Sequence, residues 1–216
     1  MTTESAVQLP AGQRQLFLDA AWVAEVENLR KVMRQPVKKG AVLRPDLALG
    51  IGGHQTRSVP HWDAEAYDLP QIIGPAGPLL RGDELWFYYT GLKYCQRPEN
   101  PEPDASAVCL AVLRRDGFIS LDAGEAEGSV VTRVVVLPKG DLYVNVDATG
   151  GSAMVRVCDE HGEPMAGFEA SESISGDQPR AKVQFAAGNL AVVNGRPVSL
   201  RFTLRHASLY SYWVAT

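Results

Sequence analysis

The stretch DELWFYYTGLKYCQRPENPEPDASAVCLAVLRRDGFISLDA, residues 83–123, predicts the class of fold. Its first run, residues 84–90, is aromatic and β-branched, and its second run, residues 107–113, is continuously apolar. Both runs are typical of strands that are buried on at least one face, and they read as a pair. The segment between them, residues 91–106, contains three prolines and is too long for a tight hairpin. A loop of this length is commonly functional.

The rest of the chain, from Asp116 onward, has the pattern of an all-β protein. Asp116 and Gly117 form a strong turn signal. Strands are predicted at residues 118–121, 130–137, 142–146, 153–158, 181–185, 198–204 and 208–214. Turns with glycine at positive φ are predicted at residues 138–140, 149–151, 161–162 and 194–195. A spacing near ten residues between strands favours a jelly-roll-like β-sandwich.

The N-terminal part gives weaker signals. Residues 13–39 are ambiguous, because propensity slightly favours a helix whereas residues 29–34 alternate like a strand. Residues 41–78 are rich in glycine and proline, which makes long regular elements improbable there. We therefore expect two domains, 1–115 with the candidate ligand loop, and 116–216 with the β-sandwich.

Composition excludes several classes of function. The 216 residues carry a net charge of −4, which lies in residues 116–216 with their 12 acidic and eight basic residues, so nucleic acid is not expected as a partner. No apolar run approaches the roughly 20 residues that span a bilayer, and no signal peptide is recognisable, so we expect a cytoplasmic protein without a membrane partner. Three cysteines without CxxC spacing indicate free thiols. No phosphate loop or dinucleotide motif predicts a cofactor.

The densest polar cluster is GGHQTRSVPHWDAE, residues 52–65. Histidines and carboxylates in such a loop could hold a metal, or could bind sugar hydroxyls beside a stacking tryptophan. The alternative is a surface loop held by its own hydrogen bonds. The candidate ligand-binding side chains in this loop are His54, Arg57, His61 and Trp62, and its candidate acids are Asp63 and Glu65.

Five segments together resemble a bacterial family of glycosyl-hydrolase-like proteins. They are QLFLDAAWVAEVENLRKV, GGHQTRSVPHW, DELWFYYTGL, CLAVLRRDGFISLDAGE and PVSLRFTLRHASLYSYWV. In that family a five-bladed β-propeller, related to the arabinanase and fructosidase group, precedes a β-sandwich. Such proteins are generally about twice this length, so the resemblance implies that most of the propeller is missing here. Residues 1–115 would then hold a reduced set of propeller-like strands. The chain would be a natural short form, a truncated gene, or a domain whose exposed sheet edges close by self-association into a homo-oligomer.

The resemblance also implies that Asp19, in the LFLD motif, is the acidic residue that faces the central pocket in the related propellers. Glycoside hydrolysis needs two carboxyl groups that flank the bond, and Asp63 and Glu65 are the nearest partners in the sequence. Aromatic side chains, above all Trp62, Trp86 and Tyr88, could stack against sugar rings. For each acid the alternative role is a solvated turn or loop carboxylate.

These observations lead to three hypotheses of function. The first is a carbohydrate-active, glycoside-hydrolase-like protein that cleaves a glycosidic bond by acid and base chemistry at Asp19 with Asp63 or Glu65. The second is a non-catalytic carbohydrate-binding or assembly module built on the β-sandwich. The third is a metal-dependent hydrolase that uses His54, His61 and Asp63. Sequence alone does not determine the sugar, the linkage or the stereochemical outcome.

Overall fold

A computed structural model describes residues 6–43, 71–74, 77–93, 106–188 and 190–216 of the chain. These residues contain no α-helix, and their one helical element is a 3-10 turn, Leu190–Val192. No helix in this part of the chain has the length and apolarity to span a membrane. The chain divides into two compact units, of which the first combines Met1–Arg34 with Asp116–Thr216 and the second is Gln35–Arg115.

The first unit contains one sheet of eleven strands. Its strands are β1 Val7–Gln8, β2 Gln15–Leu16, β3 Val23–Glu27, β4 Arg30–Met33, β10 Ile119–Ala123, β11 Gly128–Thr132, β12 Val135–Val136, β13 Asp141–Cys158, β14 Ile174–Lys182, β15 Pro197–Arg205 and β16 Ala207–Ala215. Apart from the parallel pair β1 and β12, the ladders are antiparallel, as expected for a sandwich.

The long strand β13 folds this sheet into two layers. Residues 141–147 pair with β16, while residues 152–158 pair with β15. Layer A therefore contains β14, the first half of β13, β16, β10, β2 and β4, and layer B contains the second half of β13, β15, β11, β12, β3 and β1. The β-sandwich predicted for the C-terminal half is confirmed, and so is the all-β class of the chain.

The core lies between the two layers and is built from the inward positions of alternating strands. Leu200, Phe202 and Leu204 of β15 are at most 1% exposed, and Arg201 and Thr203 between them point outward. Tyr212 of layer A joins the layers, because its ring centroid lies 5.1 Å from that of Phe202 in layer B. Burial of these apolar side chains is the main source of stability.

Glycine permits the bend of β13. The predicted turn at residues 149–151 is wrong, since the strand continues through it and neither glycine has a positive φ. A side chain on Gly151 would collide with the backbone carbonyl of Arg205, so glycine is needed there for the close approach of β13 and β15. By contrast, Gly140, Gly162 and Gly195 do have positive φ, as the other three turn signals predicted.

The second unit is a separate five-stranded antiparallel sheet with the order β5, β9, β8, β6, and with β7 also paired to β8. Its strands are β5 Val37–Leu43, β6 Gln71–Ile73, β7 Leu79–Arg81, β8 Glu84–Leu92 and β9 Ser106–Arg114. The predicted pairing of residues 84–90 with residues 107–113 is confirmed, and the observed register places Trp86 opposite Val112. Its buried core is small, and Tyr89 and Cys109 belong to it.

The N-terminal segment is where sequence and structure differ most. The helix that propensity favoured within residues 13–39 is wrong, because this range forms strands β2 to β5. Cross-strand pairing decides the outcome, since β3 pairs with β11 and β4 pairs with β10. Residues 6–34 consequently belong to the same compact unit as residues 116–216, and the second unit begins after Arg34 and ends before Asp116.

Candidate functional site

An open cleft of about 740 Å³ lies at one end of the sandwich, where the chain crosses between the layers four times. The crossings are residues 28–29 between β3 and β4, residues 124–127 between β10 and β11, the bend of β13 at residues 148–151, and His206 between β15 and β16. All four segments contribute to the lining. Its volume is within the usual range for small-molecule sites.

A row of polar side chains crosses the outer face of layer A along this cleft. The backbone register pairs Arg30 with Asp122, Asp122 with Ser208, and Ser208 with Asp147. Directly paired residues of antiparallel strands have side chains on the same face. The neighbours of this row along the strands, among them Leu121 and Val146, are buried in the core, so the row itself faces outward.

Asp122 is fixed by a network of hydrogen bonds. The Arg34 Nη2 donates to both of its carboxylate oxygens, at 2.9 and 2.7 Å, and the Ser120 hydroxyl donates to Oδ1 at 2.7 Å. The same Nη2 also donates to the Ser208 hydroxyl at 3.0 Å. These charge-assisted contacts hold the floor of the cleft in one geometry.

Asp147 occupies the other side of the cleft, on β13. Its Oδ1 accepts hydrogen bonds from the backbone N–H of Thr149 at 3.1 Å and from the Thr149 hydroxyl at 2.7 Å. These two bonds orient the carboxylate just before the bend. Because two strand spacings separate Asp122 from Asp147, their Cα atoms are about 10 Å apart.

Two residues at the crossings have left-handed backbone conformations. Asn28 has a φ of 52° and His206 a φ of 45°, and both line the cleft. The backbone N–H of His206 donates to the carbonyl of Gly124 at 2.9 Å, and the Asn28 side chain donates to the carbonyl of Glu127 at 3.3 Å. Uncommon backbone conformations of this kind concentrate at binding sites.

Asp19, the first catalytic candidate of the sequence, lies in an exposed turn between β2 and β3. Its Oδ1 accepts a hydrogen bond from the backbone N–H of Ala21 at 2.9 Å. This is an Asx turn, the local role that short acidic side chains commonly have. Asp19 does not line the cleft described above.

Trp86 and Tyr88 lie together on one face of β8 in the second unit. Their ring centroids are 6.2 Å apart, both side chains are half-buried, and Tyr89 points to the opposite face, into the small core. The Trp86 indole N–H donates to Glu84 at 2.7 Å, and the Arg81 guanidinium lies 4.9 Å from the Trp86 ring centre. The pair is thus held as a small aromatic surface.

The remaining candidates of the sequence lie outside the described residues. They are His54, Arg57, His61, Trp62, Asp63 and Glu65. The carboxylate pairing of Asp19 with Asp63 or Glu65, and the metal site of His54, His61 and Asp63, therefore stay predictions. Within the part of the chain that the structure describes, no group of three or more His, Cys, Asp or Glu side chains could hold a metal ion.

Sequence reasoning did not select the residues of the cleft, although it contained signals for two of them. Asp122 lies between the apolar residues Leu121 and Ala123 of β10, and Asp147 ends an alternating run on β13 whose inward residues are apolar. Alternation alone places both carboxylates outward. Their proximity depends on strand order, because β16 lies between β10 and β13.

Comparison of the chain with family models, with curated proteins and with solved structures found no match. The cleft and the aromatic surface of β8 are therefore interpreted from their own chemistry.

Proposed function

We propose that this protein binds carbohydrate in the cleft at the end of the sandwich. The observation that carries the proposal is the cross-strand row of Arg30, Asp122, Ser208 and Asp147 in an open cleft of about 740 Å³. Carboxylates accept hydrogen bonds from hydroxyl groups, and guanidinium and hydroxyl groups donate to them. Sugars present many hydroxyls, so a fixed row of both kinds of group suits them.

The hydrogen bonds that Asp122 already accepts favour binding over catalysis. Both of its oxygens already accept hydrogen bonds from Arg34, which gives this carboxylate a part in the scaffold of the cleft. Glycoside hydrolysis requires one carboxyl group that donates a proton and a second that acts as base or nucleophile. A preorganised polar row serves binding without either step.

The experiment is calorimetric titration of the protein with a panel of neutral and acidic oligosaccharides. We expect binding by the wild type and a loss of about ten-fold in affinity for Asp147→Asn, which corresponds to about 1.4 kcal/mol. Glu160→Gln is the matched control, because it removes one exposed negative charge in the turn after β13, outside the cleft lining. A wild type that binds nothing on the panel, or a control that loses as much affinity as Asp147→Asn, would refute the proposal.

Glycoside hydrolysis is the second candidate, and one specific observation favours it. Asp122 and Asp147 face the same cleft from strands two positions apart, and carboxyl groups of inverting glycosidases are separated by about 6.5–9.5 Å. Release of an aryl aglycone from a panel of aryl glycosides tests it. Turnover that Asp147→Asn abolishes while oligosaccharide binding persists would support hydrolysis, and a silent panel would leave the binding proposal alone.

A further inference from the structure

Two arginines lie directly opposite each other on the outer face of layer B. The register of β13 and β15 pairs Arg156 with Arg201. Their neighbours Val155 and Phe202 are buried in the core, so both guanidinium groups are on the outer face. Like charges at directly paired positions of a sheet are unfavourable. An anionic group that bridges the two arginines would remove this cost.

Local contacts orient both guanidinium groups. Arg156 Nε donates to the carbonyl of Glu169 at 2.6 Å, and Arg201 Nη1 donates to the Ser129 hydroxyl at 3.4 Å. The exposed side chain of Glu25 forms an ion pair with Arg201, and its Oε2 lies 3.7 Å from Arg201 Nη2. Each guanidinium carries five N–H donors, so each keeps donors for a ligand.

The two arginines line a polar recess of about 260 Å³. Its other charged residues are Glu27 and Glu127, both exposed, and Glu25 beside Arg201 adds a third carboxylate near the two guanidinium groups. This balance disfavours capture of small free anions by charge alone. It suits a larger ligand that brings one anionic group among many hydroxyls.

The recess adjoins the cleft, because Asn28 lines both. Asn28 lies at the crossing between β3 and β4, where the chain passes from layer B to layer A. A ligand that occupies the cleft on layer A can therefore extend past Asn28 to the arginines on layer B. Only an extended molecule, longer than one sugar ring, reaches both.

We propose that the ligand is an acidic oligosaccharide, with hydroxyl groups in the cleft and a uronic acid carboxylate between Arg156 and Arg201. This inference rests on the proposed carbohydrate binding and adds the class of sugar. A planar carboxylate matches the planar donor fork of arginine, which makes paired arginines better suited to it than lysines.

The test is calorimetric titration with tetragalacturonate and tetramannuronate, each beside its own methyl ester, in which the sugar is kept and the charge is removed. The wild type is expected to bind one acid about ten-fold more tightly than its ester. Arg201→Gln and Arg156→Gln should reduce this preference to less than about two-fold with little effect on the ester. Arg196→Gln is the control, because Arg196 is exposed and lines neither the recess nor the cleft.

The outcomes separate the two proposals. Equal binding of acid and ester by the wild type would overturn the acidic-sugar inference and leave carbohydrate binding intact. A wild type that binds neutral oligosaccharides but neither the acids nor their esters would also overturn the acidic-sugar inference and leave carbohydrate binding intact. Loss of the preference in Arg196→Gln as large as in Arg201→Gln would show that overall charge, and not the arginine pair, is responsible. A protein that binds no oligosaccharide at all would overturn both proposals.

Discussion

Replacement of Tyr212 by phenylalanine is expected to stabilise the sandwich. Tyr212 is completely buried, and its ring packs against Phe17 and Phe202 at centroid distances of 6.2 and 5.1 Å. Its hydroxyl, in contrast, has no hydrogen-bond partner among the described residues. A hydroxyl that leaves water on folding without gaining a partner opposes folding.

The size of the effect follows from this balance. Burying an unpartnered polar group costs about 1–3 kcal/mol, while the few dispersion contacts of one oxygen atom contribute about 0.1–0.2 kcal/mol each. Tyr212→Phe should therefore raise the free energy of unfolding by about 1 kcal/mol or more. In a chain of this size that corresponds to a rise in Tm of about 2–4 °C per kcal/mol.

Urea unfolding monitored by circular dichroism measures the change, with Tyr212→Ala as the comparison at the same position. The alanine variant loses the ring as well as the hydroxyl, so it should be destabilised by about 3–5 kcal/mol. Opposite signs for the two variants would separate the hydroxyl from the ring. A Tyr212→Phe variant that is less stable than the wild type would show that the hydroxyl has a favourable partner, and the reasoning would be refuted.

Alkaline pH provides an independent check on the same group. Burial raises the pKa of Tyr212 above its ordinary value of 10.0. Below pH 10 the phenol is protonated in both the folded and the unfolded state and contributes no pH dependence. Above pH 10 the unfolded state loses the proton first, so the free energy of unfolding falls as pH rises, by up to about 1.4 kcal/mol per pH unit. The wild type should lose stability faster than Tyr212→Phe above pH 10, and parallel pH curves would contradict this.

Four further results are expected. Gly151→Ala should lower the urea midpoint strongly, because its new Cβ would collide with the Arg205 carbonyl. Arg34→Gln should cost about 1–3 kcal/mol in the same assay, because a half-buried carboxylate loses its cationic partner. The thiol of Cys158, whose pKa burial raises, should resist iodoacetamide at pH 8 in the folded protein and react after unfolding, as mass spectrometry would show. Excision of residues 35–115 and their replacement by a short glycine linker should leave a sandwich that unfolds cooperatively. A short linker suffices because the backbone N–H of Arg34 donates to the carbonyl of Phe118 at 2.9 Å, so the two ends of the excised segment are close together.

The all-β class could be predicted because it depends on local pattern. Leu200, Phe202 and Leu204 alternate with polar residues, and that period of two can bury one face only in a strand. The segment at residues 13–39 could not be predicted in the same way, since its helix and strand propensities are similar. Its strands β3 and β4 form because β11 and β10, about 90 to 110 residues later in the chain, supply the hydrogen-bonding partners.

The candidate site depends still more on distant parts of the chain. Arg30, Asp122, Asp147 and Ser208 are separated by as many as 178 positions in the sequence, and no spacing motif connects them. Strand order alone makes them neighbours. The aromatic pair Trp86 and Tyr88, by contrast, could be placed on a common face from the sequence, because residues i and i+2 of one strand always share a face.

The sequence by itself determined the all-β class, most of the strands of the sandwich and three of its four predicted glycine turns, because each depends on residues that are adjacent in the chain. The tertiary structure decided that residues 6–34 join the sandwich, that β13 bends at Gly151 to serve both layers, and that Asp122 and Asp147 face one cleft. Strand pairing and layer crossing are interactions between distant segments. Their energies depend on which partners meet, and local sequence pattern does not contain that information.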